Sequence, residues 1–260
     1  MLSLAYFDAS ATQKGRQFVT VSGCLAPAAR WKTFESKWQK MLSKAGLQYF
    51  HMTDFEAYQG GYKNWTKTMH NHFFKKMARA ITGRTKFAFG RGVAHDDFAW
   101  AQSRNAQLQG FSAFTFCASQ CFHAIAAWAT RHMYNDKIVY IFESGDGFDG
   151  ELLTLKTHIE SSQDRMKYYR WGGLYILPKI ADKPPHPLTP LQAADIWAFE
   201  ARKEWENFHS TGKRSRSVRK SARALLGKGV EIDFGFSERE DLLSLPFYWE
   251  ASLDGSKPEG

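Results

Sequence analysis

The chain has 260 residues, enough for one large domain or two small ones with a sizeable core, and its 43% apolar and 23% charged content is that of an ordinary soluble protein. Three cysteines with no signal peptide before them exclude a secreted disulfide framework, so the chain reads as reduced and cytoplasmic. The net charge of +9 is uneven: residues 1 to 130 hold 16 Lys+Arg against 6 Asp+Glu, and the remainder hold 19 against 20.

LSLAYFDAS and QFVTVSGCLAP read as a hairpin across the polar turn ATQKGR. From Ala28 to Ala45 the residues Trp31, Phe34, Trp38, Met41 and Leu42 recur at helical spacing, with Gly46 as the stop. Residues 48 to 65 are less regular and read as a loop-rich segment with a short ordered core. MHNHFFKKMARAIT is a second amphipathic helix, and KFAFGRGVA alternates like a third strand. Residues 105 to 130 carry no formal charge, yet they are too polar for lipid and keep helical spacing, which predicts a buried central helix. His123 on it reads as a satisfied core histidine, and Cys117 and Cys121, a turn apart, as core packing. KIVYIFE is a strand of the kind buried on both faces. The turn SGDGFDG, with Asp146 as a turn residue, leads to Asp149 as the cap of ELLTLKTHIESS, and GGLYILP reads as the final strand. ADKPPHPLTP is a rigid linker into a helix from Thr189 to about Glu206, RSVRKSARALL a basic helix or arm, and SLDGSKPEG a mobile tail. The order predicts an α/β (mixed) fold: a central mixed sheet that begins with an antiparallel hairpin, flanked by helices, with a helical insertion after the second strand. Residues 1–208, with the insertion at about 28–84, form the main domain; residues 209–260 are a basic arm and C-terminal extension packed on it.

Between Ala57 and His95 there is no acid, but there are Lys63, Lys67, Lys75, Lys76, Arg79, Arg84, Lys86 and Arg91. A second acid-free stretch, Asn207 to Val230, carries Lys213, Arg214, Arg216, Arg219, Lys220, Arg223 and Lys228. Two basic stretches point to a polyanionic partner such as nucleic acid, whose neutralised phosphates release counterions. A basic face kept for solubility is the plainer alternative. No lipidation or anchoring motif directs the chain to a membrane.

One acid is out of place. In TPLQAADIWAFEARKE, Leu191, Ala194, Ala198 and Phe199 form an apolar stripe, and Asp195 lies within it, a turn from both Leu191 and Phe199. Burying an unpaired carboxylate costs roughly several kcal/mol, so Asp195 needs an Arg, a proton or a metal ion shared with other acids. Asp8 ends the first strand and Glu143 ends KIVYIFE; if those strands are neighbours the two acids emerge side by side, and a helix crossing that edge brings Asp195 over them. A divalent cation would relieve the repulsion, and oxygen-only ligation suits Mg²⁺ or Mn²⁺.

AYFDAS, FVTVSGCLAP, FHMTDFEA, YIFESGDG and PLQAADIWAFEARK, in that order over residues 4 to about 205, resemble the motifs of the bacterial and phage family catalogued as domain of unknown function 3800, placed in the ribonuclease H-like fold. The resemblance implies a metal-dependent nuclease core in which Asp8, Glu143 and Asp195 are the metal-binding carboxylates, with Mg²⁺ or Mn²⁺ as cofactor and a phage-defence or mobile-element setting. His51 and Asp54 match its histidine-acid motif: His51 as a general acid, a phosphate contact or a structural hydrogen bond, Asp54 as a ligand or an N-cap. Ala9 stands where the family usually has an acid. The expected function is divalent-metal-dependent phosphodiester hydrolysis of DNA or RNA, gripped by Lys63, Lys67, Arg84, Arg91, Lys213, Arg214, Arg216, Arg219 and Lys220. The alternative is a non-catalytic nucleic-acid-binding or scaffold module on the same fold, and a protein partner or homodimer is compatible with both.

Overall fold

The computed structural model of the chain describes residues 1–10, 17–144, 147–178, 188–209, 217–226 and 229–244. In chain order these form β1 (Leu2–Ser10), β2 (Phe18–Pro27), α1 (Ala28–Lys44), α2 (Met52–Glu56), α3 (Lys67–Thr82), β3 (Phe87–Ala94), α4 (His95–Gln102), α5 (Ala113–Arg131), β4 (Lys137–Glu143), α6 (Asp149–Glu160), α7 (Gln163–Tyr168), β5 (Trp171–Leu177), α8 (Thr189–His209), α9 (Lys220–Leu225), β6 (Glu231–Ser237) and α10 (Arg239–Ser244). The strands make one six-stranded sheet in the order β5-β4-β1-β2-β3-β6. β2 runs antiparallel to both β1 and β3, whereas β4 runs parallel to β1, β5 to β4 and β6 to β3. The fold is therefore the mixed α/β class expected, with the antiparallel hairpin first, helices on both faces and a helical insertion, α1 to α3, after the second strand. No helix among the described residues is long and apolar enough to cross a membrane.

Strand pleating divides the core in two. Ala5 and Phe7 of β1, Val19 and Val21 of β2, and Tyr140 and Phe142 of β4 face α5, whose uncharged sequence is explained by its burial against them. Tyr6, Cys24, Val139 and Ile141 face the other way, toward α1, α2, α3 and α8. On that side the indole of Trp31 donates to the Leu4 carbonyl at 2.9 Å, fixing α1 to β1. His70 of α3 stacks on Phe55 of α2 at 3.5 Å between ring centroids, and burial lowers its pKa, so α2 is docked by a neutral imidazole. Two glycines of β3 admit large rings on this face: a Cβ on Gly92 would stand 2.5 Å from the Trp205 ring, and one on Gly90 2.5 Å from the Phe234 ring.

β5 is not the last strand. Glu231–Ser237 adds β6 at the sheet edge, where Glu231 pairs with Arg131 and lies 2.6 Å from His132 Nε2, and Asp233 pairs with Arg91. The residues expected to form one long helix divide into a short 3-10 turn (Ala106–Leu108) and α5, with Ser112 as the N-cap accepting from the Thr115 amide. Asp149 opens α6 as its first residue, Phe148 being the cap. Cys24, Cys117 and Cys121 are free and buried, and burial pushes their thiols up, which suits packing rather than metal ligation. The expected turn ATQKGR, the turn residue Asp146, most of the linker into α8 and the tail SLDGSKPEG lie outside the described residues.

Candidate functional site

β1 and β4 are parallel neighbours in the register Phe7↔Phe142, so Asp8 and Glu143 are the next residues along two adjacent strands. Pleating carries both toward the α8 face, since Tyr6 and Ile141, two residues before each, pack there. Both carboxylates are partly buried. A narrow cleft at the carboxyl ends of β1 and β4, bordered by Asp8, Glu143 and Asp149, opens on the other side of the sheet, since Phe7, Phe142, Phe114 and Leu152, which also line it, belong to the α5 side of the core. Its floor is aromatic: Phe7 stacks on Phe142 with centroids 4.3 Å apart, and Phe114 on Phe148 at 4.2 Å. Asp149, which the sequence offered only as a cap, enters the cleft because α6 starts directly beyond the turn after β4.

Asp195 has a different immediate partner from those weighed in the sequence. α8 lies across β1 and β2, and the Met52 amide donates to Asp195 Oδ2 at 2.7 Å. Met52 is the first residue of α2, whose opening amides have no partner within the helix, so the carboxylate serves as a cap from 143 residues away. Three residues earlier on α8, Gln192 Oε1 accepts from the Phe50 amide and from the Trp38 indole, both at 2.9 Å. Gln192 is 7% exposed, a buried polar residue inside an apolar stripe. The anomaly that makes Asp195 conspicuous is thus repeated at Gln192.

His51 is the N-cap residue of α2, with extended backbone at φ −135°, ψ 124°, and its Nδ1 lies 3.4 Å from Asp54 Oδ2. The His51 side chain is 50% exposed. Asp54 falls in the first turn of α2, where a negative charge is favoured. Nearby, burial pushes the Tyr62 phenol well above its usual range, with Asp54 and Asp195 among the charges that add to the rise. His51, Asp54 and Asp195 therefore gather at the start of α2, and Asp8 and Glu143 at the strand ends. Oxygen donors at neighbouring strand ends suit a hard divalent cation. Among the described residues, however, no group of three or more His, Cys, Asp or Glu side chains is gathered to hold one. The Met52 amide occupies one oxygen of Asp195, and α8 carries this residue across β1, the strand that holds Asp8.

The basic residues divide into two kinds. Lys63, Lys67 and Lys220 are exposed. Arg91 is 18% exposed and bound to the carboxylate and carbonyl of Asp233, and Arg219 is 23% exposed and paired with Glu200 and Glu56, so these two cations serve the fold. Arg84 is partly buried, and its Nε has no hydrogen-bond partner among the described residues. Lys213, Arg214 and Arg216 lie outside the described residues. His123 is a core histidine as expected: its Nε2 is 3.0 Å from the Tyr169 hydroxyl.

No family model matches the chain, and no curated protein matches it. Two solved structures are similar to it. One is the PCNA:RNase HII complex from Archaeoglobus fulgidus, at 12% identity and a TM-score of 0.35, covering 86% of this chain and 86% of that chain. The other is Bst-RNase HIII in complex with Mn²⁺, at 14% identity and a TM-score of 0.39, covering 96% of this chain and 68% of that chain.

Proposed function

We propose that the protein is a divalent-metal-dependent phosphodiesterase acting on nucleic acid, on a ribonuclease H-like fold of the kind that its motifs resemble. The observation that carries this reading is the adjacency of Asp8 and Glu143 at the ends of parallel strands, turned by pleating to the face that α8 covers. Asp8, Glu143 and Asp195 would hold Mg²⁺ or Mn²⁺, which when bound supplies charge neutralisation at a phosphodiester. His51, steadied by Asp54, would hold a proton at its exposed ring for the leaving oxygen.

The grip on the polyanion would come from α3 and α9. α9 packs on α3, with Leu225 in the same core as Phe74, Ala78 and Ile81, so cations from the two acid-free stretches become neighbours. Lys67, Lys75, Lys76, Arg79 and Lys220 are exposed there and form no ion pair among the described residues. A second reading, a binding or scaffold module without catalysis, is favoured by Ala9, which follows Asp8 where the family that the motifs resemble usually has an acid. The deciding experiment combines melting in Mn²⁺ or EDTA with cleavage of labelled DNA and RNA. The hydrolase reading expects Mn²⁺ to raise the melting temperature by a few degrees and to support cleavage, with Asp8→Asn and Asp195→Asn abolishing turnover but retaining binding. Metal-dependent turnover that survives in Asp195→Asn removes that residue from the mechanism, and indifference of the wild type to Mn²⁺ and EDTA establishes the module.

A further inference from the structure

The segment Phe50-His51-Met52 is held by α8 at two points. Gln192 and Asp195, one turn apart on a single helix face, accept from the Phe50 amide at 2.9 Å and the Met52 amide at 2.7 Å. In extended chain, alternate amides point the same way, so α8 offers this segment two acceptors much as a neighbouring strand would. The side chains of Phe50 and Met52 go into the core, 2% and 0% exposed, and alternation turns His51 outward between them, toward Asp54. A backbone rotation that would swing the imidazole away requires breaking one of these hydrogen bonds or withdrawing an apolar side chain, which leaves only the side-chain torsions of His51 to turn the ring. Gln192 is itself fixed, because the Trp38 indole donates to the same Oε1.

We propose that Gln192 is a positioning residue for His51: together with Asp195 it clamps alternate amides of residues 50–52 and so fixes the direction in which the imidazole faces. This deepens the hydrolase reading and rests on it for the catalytic consequence, but the clamp itself is a property of the fold that is measured without turnover. An amide side chain suits the position. It accepts both hydrogen bonds without placing a second negative charge one turn from Asp195.

The test uses three variants of the full chain. Gln192→Met keeps the volume and removes the acceptor, Gln192→Glu keeps the acceptor, and Trp38→Phe removes the other donor while leaving the Phe50 bond. Amide exchange at Phe50 and backbone order at His51, both by NMR, report the clamp; kcat and KM for Mn²⁺-dependent cleavage report its use. The expected result in Gln192→Met is Phe50 exchange faster by about tenfold, loss of order at His51, and kcat lower by about tenfold or more with KM within about twofold. Trp38→Phe should stay near wild type in His51 order and kcat, whereas Gln192→Glu, which keeps the acceptor but adds a charge one turn from Asp195, should keep His51 order and lower the melting temperature. A purely structural role would lower the melting temperature of Gln192→Met and leave His51 order and kcat per folded molecule unchanged, which overturns the proposal. So does a Trp38→Phe variant that loses His51 order as fully as Gln192→Met. Absence of cleavage in the wild type rejects the hydrolase reading alone, while exchange and order still decide the clamp.

Discussion

At the scale of single residues, the histidines respond most directly when protons are added. His123 sits on α5 against the hydroxyls of Tyr168 and Tyr169, and burial, aided by the Arg91 charge, pulls its pKa down to about 4. The folded chain therefore holds a neutral imidazole at a pH where the unfolded chain, with an ordinary value of 6.5, has already bound a proton. Stability from this group is complete above 6.5, is lost as pH falls through the window down to about 4, and changes no further below it. His123→Gln, neutral throughout, should flatten that part of the profile. Urea unfolding at both ends of the window should differ in wild type by on the order of 2 to 3 kcal/mol more than in the variant. An equal pH dependence in the two proteins would show that His123 is protonated in the folded state.

At the scale of elements, α9 is held by charge. Arg219 is its N-cap residue; its Nε donates to Glu200 at 3.0 Å, its guanidinium also pairs with Glu56 at the end of α2, and it lies over the Phe199 ring. Glu200 is 2% exposed, and burial raises its pKa against the pull of Arg219. Arg219→Ala leaves that carboxylate buried without its counter-charge and should cost about 3 to 5 kcal/mol in thermal unfolding. Adding Glu200→Gln should recover a good part of the loss, and a double variant no more stable than the single one would assign the role to the Phe199 contact instead. Elements with strong periodicity are legible in the sequence: the hairpin, α1, α3, β4 and α8 stand where their spacing predicts. β6 alternates as well, with Glu231, Asp233 and Ser237 against Ile232, Phe234 and Phe236, but that alternation does not say that the strand pairs with β3, far earlier in the chain. The site is legible in its residue types and in the β1–β4 adjacency. Asp195 is conspicuous as a polar residue in an apolar stripe, but its partner, an amide 143 residues away, belongs to a segment whose short helix has no readable period. Ion pairs that bind Arg91 and Arg219 into the fold are equally invisible, since a run of cations in sequence does not say which of them face solvent.

At the scale of the whole molecule, folding converts an uneven charge sequence into an uneven surface. The net charge of +9 arises in the first half of the chain, and the second acid-free stretch is brought beside it when α9 docks on α3. α2 links that basic face to the acids: it begins at His51 and Asp195, and its last residue, Glu56, pairs with the N-cap of α9. Five residues of helix span roughly 7 Å, so His51 stands about one short helix away from the Arg219 end of α9. Counterion release gives this arrangement a measurable signature. For duplex DNA, log K should fall linearly with log salt, with a slope that shrinks by about 0.9 for each phosphate contact removed. The triple variant Lys75→Gln, Arg79→Gln, Lys220→Gln should therefore bind with a slope shallower by roughly 2 to 3, measured by fluorescence anisotropy across a salt series. Lys137→Gln, at the opposite end of β4 from Glu143, serves as the control and should leave the slope as it is. If the triple variant and the control are alike, the polyanion is gripped elsewhere, and the exposed cations of α3 and α9 serve solubility alone.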